Sequence, residues 1–282
     1  GVLEVDSYMR HATNATGSFT GTGLVAMLNV TSLNVQAGGT ISADGLGFPA
    51  AWGPGAGRFG YSAAHGGMGG YSAGYDTTLS CPYGSITAPV TLGSGADIPG
   101  GGAIMITASG DVRVDGTITA VGTYDNGGTA GGAGGSIHIT AGTMDGTGTI
   151  QARGGHNNWS SGGGGRIAIF LTAGMDCGSV TNLACGGAGV SGAAGTVFLQ
   201  LSDQRATGMG LALIDNNGVA TASNTYTTVP VADSLQHVTL VVTNAGTRCT
   251  LTTNAFSAFL ILCSGTVFDL SGNTLTVTGL TI

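Results

Sequence analysis

The chain has 282 residues, of which 7% are charged, and a formal net charge of −7 with no lysine. Proteins bind phosphate backbones with clustered Lys and Arg, so this composition excludes nucleic acid as a main partner. No apolar run reaches the roughly 18 residues of a membrane span, so we expect no membrane-spanning segment. The chain has 55 glycines, but 42% of its residues are apolar and fall in strand register, which argues against disorder.

Residues 1–23 open with the alternating stretch Val2-Leu3-Glu4-Val5 and continue with a polar Ser/Thr/Gly segment. This pattern predicts an N-terminal strand or cap. Because the chain starts at Gly1 without Met and shows no signal segment, we expect either that a leader has been removed, which implies export, or that the sequence begins inside a longer protein.

Residues 24–200 carry a repeated phrase. Strands open at 103, 136, 166 and 196, which are 33, 30 and 30 residues apart, and a second phrase, Gly-Thr-Ile, recurs at 39–41, 116–118 and 148–150. Apolar residues fall two apart in each opening, which is the period of a strand. Fixed periods of this size indicate stacked repeats. We therefore predict an all-β fold, a parallel β-helix or β-solenoid with glycine-rich arcs and loops, and right-handed crossovers. The intervening residues Met105, His138, Ala168 and Phe198 are expected on an outer face or at a contact with another chain.

Residues 46–102 interrupt this pattern with aromatic residues and five prolines, which predicts a long excursion out of one coil. Such a loop could present a binding surface, or its aromatic side chains could simply hold it on the scaffold. The glycine-rich arcs 127–135 and 154–165 could be packed arcs or stacked extended glycine helices. The candidate contacts for a glycan or partner are aromatic: Trp52, Tyr61, Tyr71, Tyr75 and Trp159.

Residues 201–282 are poorer in glycine and richer in Thr and Val, and we expect this section to continue the solenoid. Strands are predicted at 238–242, 248–251, 259–262, 266–270 and 274–277, with turns at 244–246 and 271–273.

Two parts of the chain resemble known proteins. The motifs Gly134-Gly135-Ser136-Ile137-His138-Ile139-Thr140-Ala141, Gly148-Thr149-Ile150-Gln151-Ala152 and Gly162-Gly163-Gly164-Gly165-Arg166-Ile167-Ala168-Ile169 resemble glycine-rich repeats of large bacterial surface and secreted proteins. The tail Gly265-Thr266-Val267-Phe268-Asp269-Leu270-Ser271-Gly272-Asn273-Thr274-Leu275-Thr276-Val277 is similar to β-helix rungs of autotransporter-like passengers and adhesins. The resemblance implies an exported structural or adhesive protein at the cell surface, and it carries over no catalytic residue.

Ionisable residues give little support for an enzyme. The aspartates are spread singly along the chain. Asp111, Asp145 and Asp176 lie at predicted turns, so we expect their side chains to stabilise these turns by hydrogen bonds to the nearby backbone. Isolated arginines such as Arg113, Arg153 and Arg166 are expected to be solvated. A metal site from His65, His156 and aspartates lacks ligand spacing, whereas calcium in the loops 125–127 or 215–218 suits oxygen ligands better. We expect no required cofactor.

Five cysteines fit an exported protein. The pairs Cys177 with Cys185 and Cys249 with Cys263 could each close a local disulfide loop, in a scheme that does not use Cys81; buried thiols are the alternative. Sequons at Asn14, Asn29 and Asn158 are weak indications of glycosylation.

Together these features predict an extracellular structural protein that assembles head to tail into a fibre or matrix, with copies of itself as partners. The predicted assembly ends comprise Val2, Leu3, Val5, Leu275, Val277, Leu280 and Ile282. The alternatives are a glycan-binding adhesin module that uses the aromatic loop residues and a polysaccharide lyase or hydrolase, which would need carboxylates clustered on neighbouring rungs.

Overall fold

The computed structural model is nearly all β, and its strands are mostly parallel. It describes residues 2–4, 25–58, 60–71, 80–124, 130–189, 192–221, 225–230, 233, 235–244, 246–251, 256–272 and 275–281. The helix in these ranges is the short 3-10 helix Ser202–Thr207. Within the same ranges, no helix has the length and apolar character to cross a membrane.

The strands divide into two series at residue 201. The first series is β1 (Val2–Glu4), β2 (Ala26–Val30), β3 (Leu33–Val35), β4 (Thr40–Ser42), β5 (Ala103–Ala108), β6 (Asp111–Val114), β7 (Thr117–Thr119), β8 (Ser136–Ala141), β9 (Thr143–Asp145), β10 (Thr149–Gln151), β11 (Arg166–Leu171), β12 (Thr181–Leu183) and β13 (Thr196–Gln200). The second series is β14 (Gly210–Asp215), β15 (Thr227–Val229), β16 (Val238–Thr243), β17 (Arg248–Leu251), β18 (Phe256–Cys263), β19 (Val267–Asp269) and β20 (Leu275–Thr281).

Successive triplets of the first series pair in parallel, strand on equivalent strand. The triplets β2–β4, β5–β7 and β8–β10 form three separate ladders. In the first ladder β2 pairs with β5 and β5 with β8, in the second β3 pairs with β6 and β6 with β9, and in the third β4 pairs with β7 and β7 with β10. Like residues therefore stack on like residues: Ile104, Ile137, Ile167 and Val197 are aligned neighbours. These aligned aliphatic side chains form one buried core enclosed by the three ladders.

The two series are joined by an antiparallel pair. Strands β13 and β14 lie side by side with Phe198 opposite Ala212, whereas every other pair in the nine-stranded sheet β2-β5-β8-β11-β13-β14-β16-β18-β20 is parallel. The chain thus reverses its direction at this joint without leaving the sheet. Strands β15, β17 and β19 form a smaller sheet opposite the second half.

The second core lies on the other face of the same sheet. It contains Ala168, Phe198, Ala212, Leu240 and Ile261, of which the first three alternate with residues that face the first core. The prediction of an outer face or chain contact is therefore wrong for Ala168 and Phe198, because the second series folds back over them. Met105 and His138 are only partly covered.

The glycine-rich arcs pack backbone against backbone. Gly134 N–H donates to Gly163 O at 2.9 Å and Gly164 N–H donates to Ala193 O at 2.9 Å, so neighbouring arcs are joined by hydrogen bonds although they are not strands. A Cβ added at Gly165 would lie 2.1 Å from the carbonyl oxygen of Gly135. Only glycine permits this spacing.

Candidate functional site

Much of the predicted excursion is buried. Every residue from 62 to 70 is buried. Ala63 N–H donates to Gly131 O at 3.0 Å and Ala63 O accepts from Gly163 N–H at 3.0 Å, so the segment lies between two arcs. Gly66 and Gly67 both donate to Gly164 O at 2.9 Å. The segment 62–70 is therefore held on the scaffold by its own backbone hydrogen bonds.

The aromatic residues predicted as contacts lie in different environments. Trp52 is half-buried and packs against the small cluster of Phe48, Leu92 and Ala103. Tyr61 and Tyr71 are half-buried and stack on each other with ring centroids 6.5 Å apart. Tyr75 lies outside the described residues. Trp159 alone of the four described contacts is mostly exposed, at 63%.

A second exposed aromatic ring packs against the glycine-rich arc 154–165, which carries Trp159. Tyr124 is 55% exposed and stacks on His156 with centroids 5.4 Å apart and planes 12° apart. The two residues are 32 positions apart, which is also the offset between the paired Thr117 and Thr149, so they occupy equivalent places in successive triplets. Sequence reasoning missed Tyr124, although this period was the signal that would have found it. We call Tyr124, His156 and Trp159 the aromatic surface.

The most polar buried region surrounds Arg166, at the start of β11. Its side chain is fully buried, so the expectation of a solvated arginine is wrong. Nε donates to Tyr83 O at 2.9 Å and Nη1 donates to Thr196 Oγ1 at 3.0 Å, while Nη2 is buried without a hydrogen-bond partner among the described atoms. Burial lowers the pKa of Arg166 to about 10, so the guanidinium stays charged at neutral pH.

His65 lies beside this guanidinium and is neutral. Nδ1 lies 2.8 Å from Gly134 O, a carbonyl that can only accept, so Nδ1 carries the proton. Nε2 then accepts from the Thr91 hydroxyl at 2.8 Å. Burial, with the charge of Arg166 as the second cause, lowers the pKa of His65 to about 3. The ring of Tyr83 lies 4.7 Å from that of His65, and burial raises the Tyr83 pKa.

Asp233 contributes the opposing charge from the second series. Its carboxylate accepts from Ser85 Oγ at 2.5 Å, Ile86 N–H at 2.6 Å and Thr87 Oγ1 at 3.0 Å, and it attracts Arg166 electrostatically. We call His65, Tyr83, Arg166 and Asp233 the junction cluster, because it joins the excursion to both strand series. The junction cluster therefore holds three parts of the chain together. The side chains of His65 and Arg166 are fully buried, so a substrate cannot reach them in this conformation.

The surface carboxylates show the geometry of turns and ion pairs. Asp176, Asp215 and Asp269 each accept from the backbone N–H two residues ahead, which for Asp176 is the predicted turn role. Of the other two aspartates predicted to form turns, Asp111 accepts from Thr143 Oγ1 at 2.7 Å and Asp145 pairs with Arg113. Arg113 contacts Asp115 at 2.6 Å and Asp145 at 3.0 Å, and this hydrogen bond lowers the pKa of Asp115. A general acid needs a raised pKa instead.

The predicted metal ligands are engaged elsewhere. His65 and His156 belong to the junction cluster and the aromatic surface, and the described residues hold no group of three His, Cys, Asp or Glu placed for a metal ion. In the loop 215–218, Asn216 is buried, accepts from Gly186 N–H and donates to Gly192 O and Val219 O. Its amide therefore fixes the joint between the series. Residues 125–127 lie outside the described ranges.

Cys177, Cys185, Cys249 and Cys263 are thiols in this structure, so neither predicted disulfide is formed. Burial raises the pKa of Cys177 to about 11 and raises the pKa of Cys185 and Cys249 as well. Two sequon asparagines, Asn29 and Asn158, are exposed, and Asn14 lies outside the described residues.

The predicted assembly residues fall on edge strands. Val2 and Leu3 are in β1, the first strand of the sheet β1-β4-β7-β10-β12, and Leu275, Val277 and Leu280 are in β20, the last strand of the nine-stranded sheet. Val5 and Ile282 lie outside the described residues. Comparison with protein-family models, curated proteins and solved structures finds no match to this chain.

Proposed function

We propose that this chain is a structural protein of the cell surface, that its parallel ladders form a β-helix, and that copies join head to tail. The observation that carries the proposal is the continuity of in-register pairing, in which one sheet passes through both series from β2 to β20. A stack of this kind is held together by nearest neighbours and can be extended by one more strand at each step.

The geometry of the two ends supports joining of unlike surfaces. Among the described strands, β20 pairs only with β18 and β2 pairs only with β5. The flank of each strand that pairs with no other described strand presents backbone N–H and C=O groups, which are a template for another strand. Because the two ends differ, the contact is heterologous and gives an open filament. Export agrees with the resemblance to bacterial surface repeats and with the low charge.

Two proline variants in β20 test the assembly. Successive N–H groups of a strand point to opposite flanks. One of the two variants, Thr276→Pro or Val277→Pro, therefore removes a hydrogen bond to β18. The other, the outward variant, removes only an N–H donor on the flank away from β18. We expect the outward variant to keep the thermal stability of the parent chain and to stop filament growth in negative-stain images and sedimentation. A parent chain that stays a monodisperse monomer at high concentration would refute head-to-tail assembly.

A glycan-binding role is the second candidate, and the aromatic surface favours it. Exposed rings at Tyr124 and Trp159 provide flat apolar faces in a chain with few charges, which suits a neutral sugar. We expect Trp159→Ala and Tyr124→Ala each to weaken binding on a glycan array about fivefold, by loss of roughly 1 kcal/mol of ring contact. Met175→Ala is the matched control, because Met175 is exposed and apolar but not aromatic. Equal binding by all three variants would remove this candidate.

A further inference from the structure

Cys249 and Cys263 face the same core from two different sheets. In the nine-stranded sheet, Cys263 continues the buried column of Ile214 and Val242. In the three-stranded sheet, Cys249 lies between Thr227 and Phe268. Cys249 belongs to the second core and Cys263 packs against it, so both thiols point between the sheets.

The two thiols also lie at the same lateral edge of this core. Cys263 is the last residue of β18 and precedes the turn at 264–266, which leads into β19. Cys249 is the second residue of β17 and follows the turn that ends with Gly246 and Thr247. These turns stack on each other, because Ser264 N–H donates to Val242 O and Val267 N–H donates to Thr247 O. Cys249 on β17 and Cys263 on β18 therefore lie in the two facing sheets at the same end of the second core.

Solvent reaches only one of the pair. Cys263 is half-buried and lines an open groove of about 520 Å³ together with Val242 and Thr266, whereas Cys249 is buried. Burial is the first cause that raises the pKa of Cys249, and the neighbouring Cys263 is the second, so the two thiols interact. An oxidant therefore meets Cys263 first.

We propose that Cys249 and Cys263 form an oxidisable pair, which closes to an intramolecular disulfide on reaction with a small-molecule disulfide. The Cys263 thiolate attacks one sulfur of that oxidant, which forms a mixed disulfide and releases one thiol. The Cys249 sulfur, on losing its proton to solvent, attacks the Cys263 sulfur and releases the second thiol. The oxidant is reduced to two thiols, and the new bond ties the three-stranded sheet to the nine-stranded sheet.

Oxidised glutathione and the folded 282-residue chain test the proposal directly. We expect a peptide map without reduction to join the peptides that contain Cys249 and Cys263, with a mass two hydrogen atoms below the sum of the two peptides. The pair Cys177 and Cys185 is the internal control, because Cys177 precedes β12 and Cys185 follows it, so this extended strand separates the two thiols. These two cysteines should remain thiols.

Single variants separate the two steps. Cys249→Ala should stop at a glutathione adduct on Cys263, and Cys263→Ala should leave Cys249 unmodified while the protein is folded. A glutathione adduct that persists on Cys263 of the parent chain, or a disulfide that joins any other pair, overturns the proposal. If either variant fails to fold, the peptide map of the parent chain decides alone. The result does not depend on filament formation, because the pair lies within one chain.

Discussion

Gly165→Ala tests whether the close approach of the arcs determines stability. The added Cβ would lie 2.1 Å from Gly135 O and 2.7 Å from the carbonyl carbon of Gly134, and both atoms are backbone. A carbon atom normally stays about 3.3 Å from a carbonyl oxygen, so the arcs must separate by about 1 Å. No side-chain rotation can relieve this overlap.

The cost follows from the hydrogen bonds that such a shift breaks. Gly165 N–H donates to Ala152 O at 2.7 Å and Arg166 N–H donates to Gly135 O at 2.9 Å. A 1 Å displacement takes both beyond hydrogen-bond range. Each buried group left without a partner costs about 1–3 kcal/mol, so we expect Gly165→Ala to lower the free energy of unfolding by about 4 kcal/mol.

Gly110→Ala is the matched control. Its added Cβ would meet Thr31 O at 3.0 Å, which is tight but needs a shift of only a few tenths of an ångström. Alanine also restricts the unfolded chain, which stabilises by about 0.4–1 kcal/mol, so the net change should stay within about 1 kcal/mol. Urea unfolding of both variants, followed by circular dichroism, measures the difference. Equal unfolding midpoints would show that the arcs are not packed as tightly as described.

Three further predictions concern the junction cluster and the thiols. The His65 pKa is lowered to about 3 from 6.5, so between these values the unfolded chain binds one more proton than the folded chain. The contribution of His65 to the free energy of unfolding is therefore complete above pH 6.5 and is lost on acidification, by about 1.4 kcal/mol per pH unit. His65→Gln should remove this part of the pH dependence of the free energy of unfolding between pH 4.5 and 6. An unchanged pH dependence would contradict the neutral, buried state of His65. Asp233→Ala removes the acceptor of the Ile86 N–H, so hydrogen exchange at Ile86 should accelerate by at least about tenfold while exchange at Ile137 stays constant. Cys185 is buried, so it should react with a thiol reagent at pH 8 only after unfolding, and rapid labelling in the native protein would argue against its position.

Much of the strand pattern could be predicted from local periodicity. The openings at 103, 136, 166 and 196 are the first residues of β5, β8, β11 and β13, and the strand predicted at 248–251 coincides with β17. Alternation marks these positions because each strand places its aliphatic residues on one face, whatever covers the other face. Strand ends were less accurate: the prediction at 259–262 covers only part of β18.

The candidate sites were less predictable. Arg166 looks like a surface residue in the sequence, but Tyr83, Thr196 and Asp233 approach it from distant positions and enclose it. Trp159 could be proposed from its glycine-rich surroundings, whereas Tyr124 gains its place from stacking on the next triplet. These environments depend on contacts between residues far apart along the chain.

The sequence by itself determined the β class, the period of the repeat and the need for glycine in the arcs, since strand alternation and backbone sterics are local properties. Only the tertiary structure decided that the sheet continues through an antiparallel joint at β13 and β14, and that a second core forms on its other face. It also decided that residues 62–70 fill the space between arcs. The physical reason is that burial depends on which distant segments pack together, and no local pattern records that choice.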